Sequence, residues 1–190
     1  MKRTVLLLIL VFVCSTLGSS QVQVGSKIEN FSLTDVDGAS QKPGDIKGKN
    51  GFVLVFVSIQ CPVVRGYDTR INELAKAYRE KGINLIGVDS NFTESASEIK
   101  SHASSRWNFP VLLDPDSKLA TQLGASVTPE AFYVDANDVL LYHGAVDNDR
   151  SGRNVTERYL QNAFDAALSG KKIERTTANA FGCSIKRAGQ

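Results

Sequence analysis

The chain has 190 residues, with 22 Lys or Arg against 20 Asp or Glu, two His and three Cys. A charge so close to balance gives no electrostatic reason to expect nucleic acid or an anionic membrane surface as a partner. His102 and His143 stand far apart without a Cys or carboxylate cluster around them, so neither a metal site nor a cofactor is expected.

Residues 1–20 read as a secretory leader: Lys2 and Arg3, an apolar run from Val5 to Val13, then Gly18-Ser19-Ser20. The run is shorter than the roughly 20 residues a membrane span needs, and cleavage after Ser20 is the expectation. Cys14 also raises lipid attachment, but Val13 stands before it where a small residue belongs. Removing Lys2 and Arg3 leaves 20 basic residues against 20 acidic ones. The expectation is an exported protein without a stable membrane span, folded as one domain over 21–172 and followed by a tail, 173–190.

Residues 21–50 are polar, and Asp37-Gly38 predicts a short N-terminal hairpin. The apolar run 52–57 predicts a strand buried on both faces. Ile71, Leu74, Ala75 and Tyr78 place one apolar stripe on a helix from Pro62 to about Lys81, ended by Gly82. A strand over 83–89 follows, then a helix capped by Thr93 with Glu94 in its first turn, running to about Trp107. Segments 111–113 and 116–123 read as a short strand and a short helix. Strands 131–134 and 139–142 flank Asn137-Asp138 as a hairpin. A last helix starts at Ser151 or Asn154 and ends before Gly170. Strands alternating with helices and finished by a hairpin predict an α/β fold, a central mixed sheet flanked by helices.

Cys61 falls where the 52–57 strand passes into its helix, with Pro62 fitting the first helical turn. Free N–H groups and the helix dipole stabilise a thiolate there and make the sulfur nucleophilic toward disulfides and peroxides. A lone cysteine is otherwise most often a small buried hydrophobe. Thr128-Pro129 precedes the hairpin, and X-Pro is the bond type at which cis geometry is tolerated.

Together, Cys61-Pro62, Tyr67, Arg70, Asp89-Ser90-Asn91, Leu113-Asp114, Thr128-Pro129-Glu130, Asp147-Asn148 and Gly182-Cys183-Ser184-Ile185-Lys186 resemble the peroxiredoxin-like branch of the thioredoxin superfamily. This is the redoxin group related to alkyl hydroperoxide reductase and thiol-specific antioxidant proteins. The resemblance spans about residues 25–187. It implies a thioredoxin-like fold, a reactive cysteine at Cys61 and oxidoreductase or antioxidant activity. It also implies a substrate site of Pro62, Thr128 and Pro129 against the sulfur.

The chain departs from the relatives' pattern at several positions. Val64 stands where thioredoxins carry the second cysteine of Cys-x-x-Cys, and Val127 where relatives often have another. Peroxiredoxins carry Pro-x-x-x-Thr-x-x-Cys; here Ser58 supplies the hydroxyl expected to hold the thiolate, and Leu54 replaces the proline. Arg150 is a candidate for the peroxide-polarising arginine.

A partner sulfur is left to Cys183. Cys183 lies thirteen residues past Gly170, and a segment of that length reaches roughly 43 Å when extended. The reach permits a Cys61–Cys183 bond, permanent or cycling; an unpaired Cys183, or one bonded to another chain, remains open. The first reading is an exported thiol oxidoreductase in which Cys61 attacks a peroxide or a protein disulfide, Cys183 resolves it and an external thiol reductant restores it. The second is a non-catalytic module with a fixed disulfide and a peptide groove at Thr128-Pro129. Asn30, Asn91 and Asn154 each begin an N-glycosylation sequon.

Overall fold

Six consecutive apolar residues, Phe52 to Val57, form the central strand, and every one is buried. Alternation sends Phe52, Leu54 and Phe56 to one face and Val53, Val55 and Val57 to the other. Each face needs its own cover, and the rest of the chain supplies it.

The computed structural model describes residues 22–189, so the expected leader lies outside the described residues. In order the elements are β1 (Leu33–Asp35), β2 (Ser40–Gln41), α1 (Pro43–Ile46), β3 (Phe52–Val57), α2 (Pro62–Arg79), β4 (Asn84–Asp89), α3 (Ala96–Arg106) and β5 (Val111–Leu113). They continue with α4 (Lys118–Leu123), β6 (Val127–Thr128), β7 (Glu130–Val134), β8 (Leu140–Gly144), α5 (Tyr159–Leu168), β9 (Thr177–Ala178) and β10 (Cys183–Ser184). Eight strands form one sheet in the order β2-β1-β5-β4-β3-β7-β8-β9, and β10 pairs separately with β6. The strands β3, β4 and β5 are parallel, whereas β7 runs antiparallel to both β3 and β8. This is the expected mixed sheet, with the predicted N-terminal hairpin, β1–β2, at its edge.

One face is covered by α2, α3 and α5 through Val64, Tyr67, Ile71, Ile99, Leu160 and Phe164. The other is covered by α1 and α4 through Ile46, Leu119 and Leu123. A register shift between Tyr133 and Val134 interrupts the β7–β8 ladder. It lets β8 give Leu140 to one core and Tyr142 to the other, against strict alternation.

Two helix starts differ from expectation. The cap of α3 is Ser95, whose side chain accepts from Glu98 N–H while Glu98 reaches back to Ser95 N–H; Thr93 and Glu94 precede it. The last helix begins at Tyr159, not at Ser151 or Asn154. Asp149 explains that, because its carboxylate accepts the N–H groups of Ser151 and Asn154 and holds the segment as a loop.

The tail is ordered against the domain. β9 lies parallel to β8, with Ala178 opposite Gly144. A Cβ at Gly144 would lie 1.9 Å from the Ala178 carbonyl oxygen, so that approach requires glycine. No helix among the described residues is long and apolar enough to cross a membrane.

Candidate active site

Cys61 is the N-cap of α2, in an extended conformation, and Pro62 takes the first helical position. The sulfur points inward: Cys61 is 1% exposed. As a thiol it donates to the Thr128 carbonyl at 3.3 Å, and the Thr128–Pro129 peptide is cis. The Thr128 carbonyl therefore lies against the sulfur and Pro129 is buried next to it in the chain, while Pro62 is exposed at the surface.

The tail completes the site. β10 runs antiparallel to β6 with Cys183 opposite Thr128 and Ser184 opposite Val127. Gly182 makes that approach possible, since a Cβ there would lie 1.8 Å from the Thr128 carbonyl oxygen. Ile185 is buried and donates its N–H to Ser126 O at 3.0 Å. Lys186 N–H donates to Asn91 Oδ1 at 2.9 Å, and Phe92 N–H donates to Lys186 O at 2.9 Å. Arg187 adds a bond to Ala125 O at 2.6 Å.

Both cysteines are free thiols, and they lie near enough for each to shift the titration of the other. Burial pushes the Cys61 thiol up, but hydrogen bonds from Cys183, Thr128 and the Val64 backbone outweigh it and hold the thiol below its ordinary value. Cys183 is held above its own, by burial and then by the hydrogen bond and negative charge of Cys61. Of the two thiols, Cys61 is therefore the one that loses its proton first.

Two candidates sit elsewhere than expected. The Ser58 hydroxyl does not turn to the sulfur; it donates to Glu94 Oε1 at 2.5 Å. Glu94 also accepts the N–H groups of Ile59 at 2.8 Å and Gln60 at 3.1 Å. A buried carboxylate with three donors outcompetes a weak sulfur acceptor, and Ser58 thereby fixes the loop before Cys61. Arg150 lies on the loop that returns toward α2, but it is exposed and its guanidinium lies over the Phe181 ring, 5.7 Å from the centroid.

Behind that loop lies Asp89, 2% exposed. Burial, with the hydrogen bond and charge of Glu94, pushes its carboxyl up to about 8. Counted as a carboxylate, Asp89 Oδ2 has no partner; protonated, it donates to Glu94. Asp89 Oδ1 accepts from the N–H and the side-chain amide of Asn91. The same Asn91 holds Lys186, so residues 89–94 grip both cysteine-bearing segments. Asn91 is buried by these bonds, which leaves its sequon inaccessible.

Farther out, Tyr67 OH donates to Asp147 Oδ1 at 2.8 Å, and Arg70 pairs with Asp147 Oδ2. The Arg70 guanidinium also lies over the Tyr67 ring at 3.6 Å. Glu130, next to Pro129, accepts the N–H groups of Ser126 and Val127 and contacts His143 Nε2 at 2.6 Å. Glu94, expected in a helix, is instead the acceptor that holds residues 58–60, and the Glu130–His143 contact has no counterpart in the sequence reading. The signal for Glu94 was its neighbour: Ser95 with Glu98 is the better capping box. No cluster of three or more His, Cys, Asp or Glu fit to hold a metal occurs among the described residues.

A mixed sheet with covered faces and a helix-start cysteine against a cis-proline segment defines a thioredoxin-like protein. Residues 24–143 match the AhpC/TSA family, and the chain belongs to it. β10 and Cys183 lie beyond the matched residues. Among curated relatives, the thiol-disulfide oxidoreductase ResA of Bacillus cereus (strain ZK / E33L) is 30% identical over 150 residues, 71% of this chain and 84% of that protein. ResA of Bacillus thuringiensis (strain Al Hakam) is 31% identical over 116 residues, 60% of this chain; the match spans 65% of that protein's length. Among solved structures, a hypothetical protein from Sinorhizobium meliloti 1021 superposes with a TM-score of 0.82 at 27% identity, over 90% of this chain and 98% of that one. A putative thiol:disulfide interchange protein DsbE from Chlorobium tepidum shares the fold, with a TM-score of 0.63 at 20% identity over 78% of this chain and 99% of that one.

Proposed function

We propose that this protein is an exported thiol–disulfide oxidoreductase whose Cys61 and Cys183 cycle between a dithiol and a disulfide. The observation that carries the reading is the pair of free thiols that meet at Thr128, whose carbonyl accepts from Cys61 and which faces Cys183 across the β6–β10 ladder. The names of the ResA relatives support the same chemistry. Oxidation removes two electrons and two protons from the pair, and a substrate disulfide accepts them as two thiols. An external dithiol reductant reverses the step. Cys61 supplies the thiolate, held by the helix start and by Cys183; Thr128 and Pro129 wall the sulfur pair.

Family membership favours a hydroperoxide as a second oxidant, which would leave as an alcohol and water. Against it stands Arg150, whose guanidinium is over Phe181 rather than at the sulfur. Protein disulfides are therefore the first substrate class.

The test is equilibration of the purified protein in glutathione redox buffers, with free thiols counted by alkylation and mass spectrometry. A reversible Cys61–Cys183 couple with a midpoint of roughly −120 to −270 mV is expected, as in cycling oxidoreductases. A bond still oxidised below roughly −300 mV would mark a structural disulfide and a non-catalytic module.

A further inference from the structure

The two sulfurs differ in how a partner can reach them. Cys61 is 1% exposed and belongs to the same buried core as Val57, Val64 and Tyr67. The Thr128 carbonyl accepts from it, and the β10 strap crosses beside it. Cys183 is partly exposed, and Ser184 next to it is exposed. The edge of β6 is also occupied. An extended polypeptide cannot add to that edge, because Ser184 and Cys183 already pair with Val127 and Thr128. Gly182 fits so closely over the Thr128 carbonyl that there is no space between strap and strand. The strap is itself tied down at Ser126, Asn91, Phe92 and Ala125. A folded partner meets Cys183 first.

We infer that Cys183, not Cys61, is the sulfur through which this protein forms mixed disulfides with polypeptide partners, and that Cys61 acts as internal base and resolving thiol. This inference rests on the dithiol–disulfide reading above. In the oxidising direction Cys61 takes the proton of Cys183, and Cys183 attacks one sulfur of the partner disulfide. A Cys183–partner bond forms, the partner's S–S bond breaks, and the electron pair leaves on the partner's second sulfur, which takes a proton. Cys61 then attacks Cys183 Sγ, closing the internal disulfide and expelling the first partner sulfur as a thiol. A reducing dithiol runs the same steps backward. Its thiolate attacks Cys183, and Cys61 departs as the better leaving group because its thiol is the more acidic. The helix-start cysteine is thus the inner member of the pair, the reverse of the order its position in the sequence suggests.

The experiment mixes the oxidised full chain with a reduced thioredoxin whose second active-site cysteine is replaced by serine, so that the mixed disulfide is trapped. After acid quenching, alkylation and digestion, mass spectrometry locates the cross-link. The Cys183 cross-link is expected to exceed the Cys61 one about tenfold or more, since access governs which sulfur is attacked. An equal or greater share on Cys61 overturns the inference while leaving the dithiol couple standing. No cross-link at either sulfur, together with no reversible disulfide, removes both. Gly182→Val, which cannot keep the strap against Thr128, is expected to raise the share on Cys61. Should that variant not fold, Cys61→Ser and Cys183→Ser are compared in the native state with 5,5′-dithiobis(2-nitrobenzoate). Cys61→Ser is expected to react about tenfold or more faster, and the opposite order overturns the inference.

Discussion

At the scale of single residues, Cys61 owes its acidity to its neighbours more than to its place on the helix. Burial opposes the thiolate, and the hydrogen bond from Cys183 is the largest contribution in its favour. Cys183→Ala removes that donor, so the Cys61 thiol is expected to rise, with less thiolate at neutral pH than in the wild type. Titration of the thiolate's ultraviolet absorbance checks this; an unchanged or lower curve would show the helix start to be sufficient alone. Asp68 offers a second residue-scale case. Its Oδ1 accepts the Trp107 indole N–H at 2.7 Å, and Oδ2 accepts both Nε and Nη2 of Arg106. Asp68→Ala leaves a buried indole N–H unpaired, while Arg106, half exposed, can turn to water. A loss of about 2–3 kcal/mol in denaturant unfolding is expected. Cys61 was legible from sequence because a strand-to-helix junction has a periodic signature. The Ser58–Glu94 bond was not, because nothing in the spacing of two polar residues 36 apart shows that they meet.

At the scale of elements, the loop from Asp89 to Glu94 ties the two cysteine-bearing segments together, since it binds residues 58–60 with Glu94 and Lys186 with Asn91. It does so at an electrostatic cost that depends on pH. The Asp89 carboxyl is raised in the fold to about 8, against about 3.9 in an unfolded chain. Between those values the folded state binds the extra proton, so the stability this group contributes is full at low pH and is lost as pH climbs toward its folded value. Urea unfolding at about pH 5 and about pH 8 is expected to show a larger loss for the wild type than for Asp89→Asn, which keeps the shape without the titrating proton. Parallel curves for the two proteins would assign the pH dependence elsewhere. The central strands and the long helices were legible because their burial is repetitive, as in Phe52–Val57 and along α2, whereas the two-residue strands β6, β9 and β10 are too short to carry a period. The start of α5 was not, because Asp149 captures the N–H groups that a helix at 151–154 would have used.

For the whole molecule, a mixed sheet with a core on each face follows from the apolar pattern, but the site depends on a contact between positions 122 apart in sequence. Reach alone permitted it; the glycine at 182 and the clamps on 185–187 decide it. Closing Cys61 to Cys183 joins a loop of about 120 residues, worth roughly 5 kcal/mol in the chain-entropy picture. The oxidised protein is therefore expected to unfold at a higher urea midpoint than the reduced one, measured with and without dithiothreitol; equal midpoints would show that closure strains the strap by a comparable amount. That bond also changes what kind of object the chain is. Reduced, it is an open string; oxidised, residues 61–183 become a ring, in which a single protease cut at an exposed loop within that span leaves the two pieces tethered. The redox state is then recorded in the chain's connectivity, and a nicked sample would run as one band without reductant and as two with it.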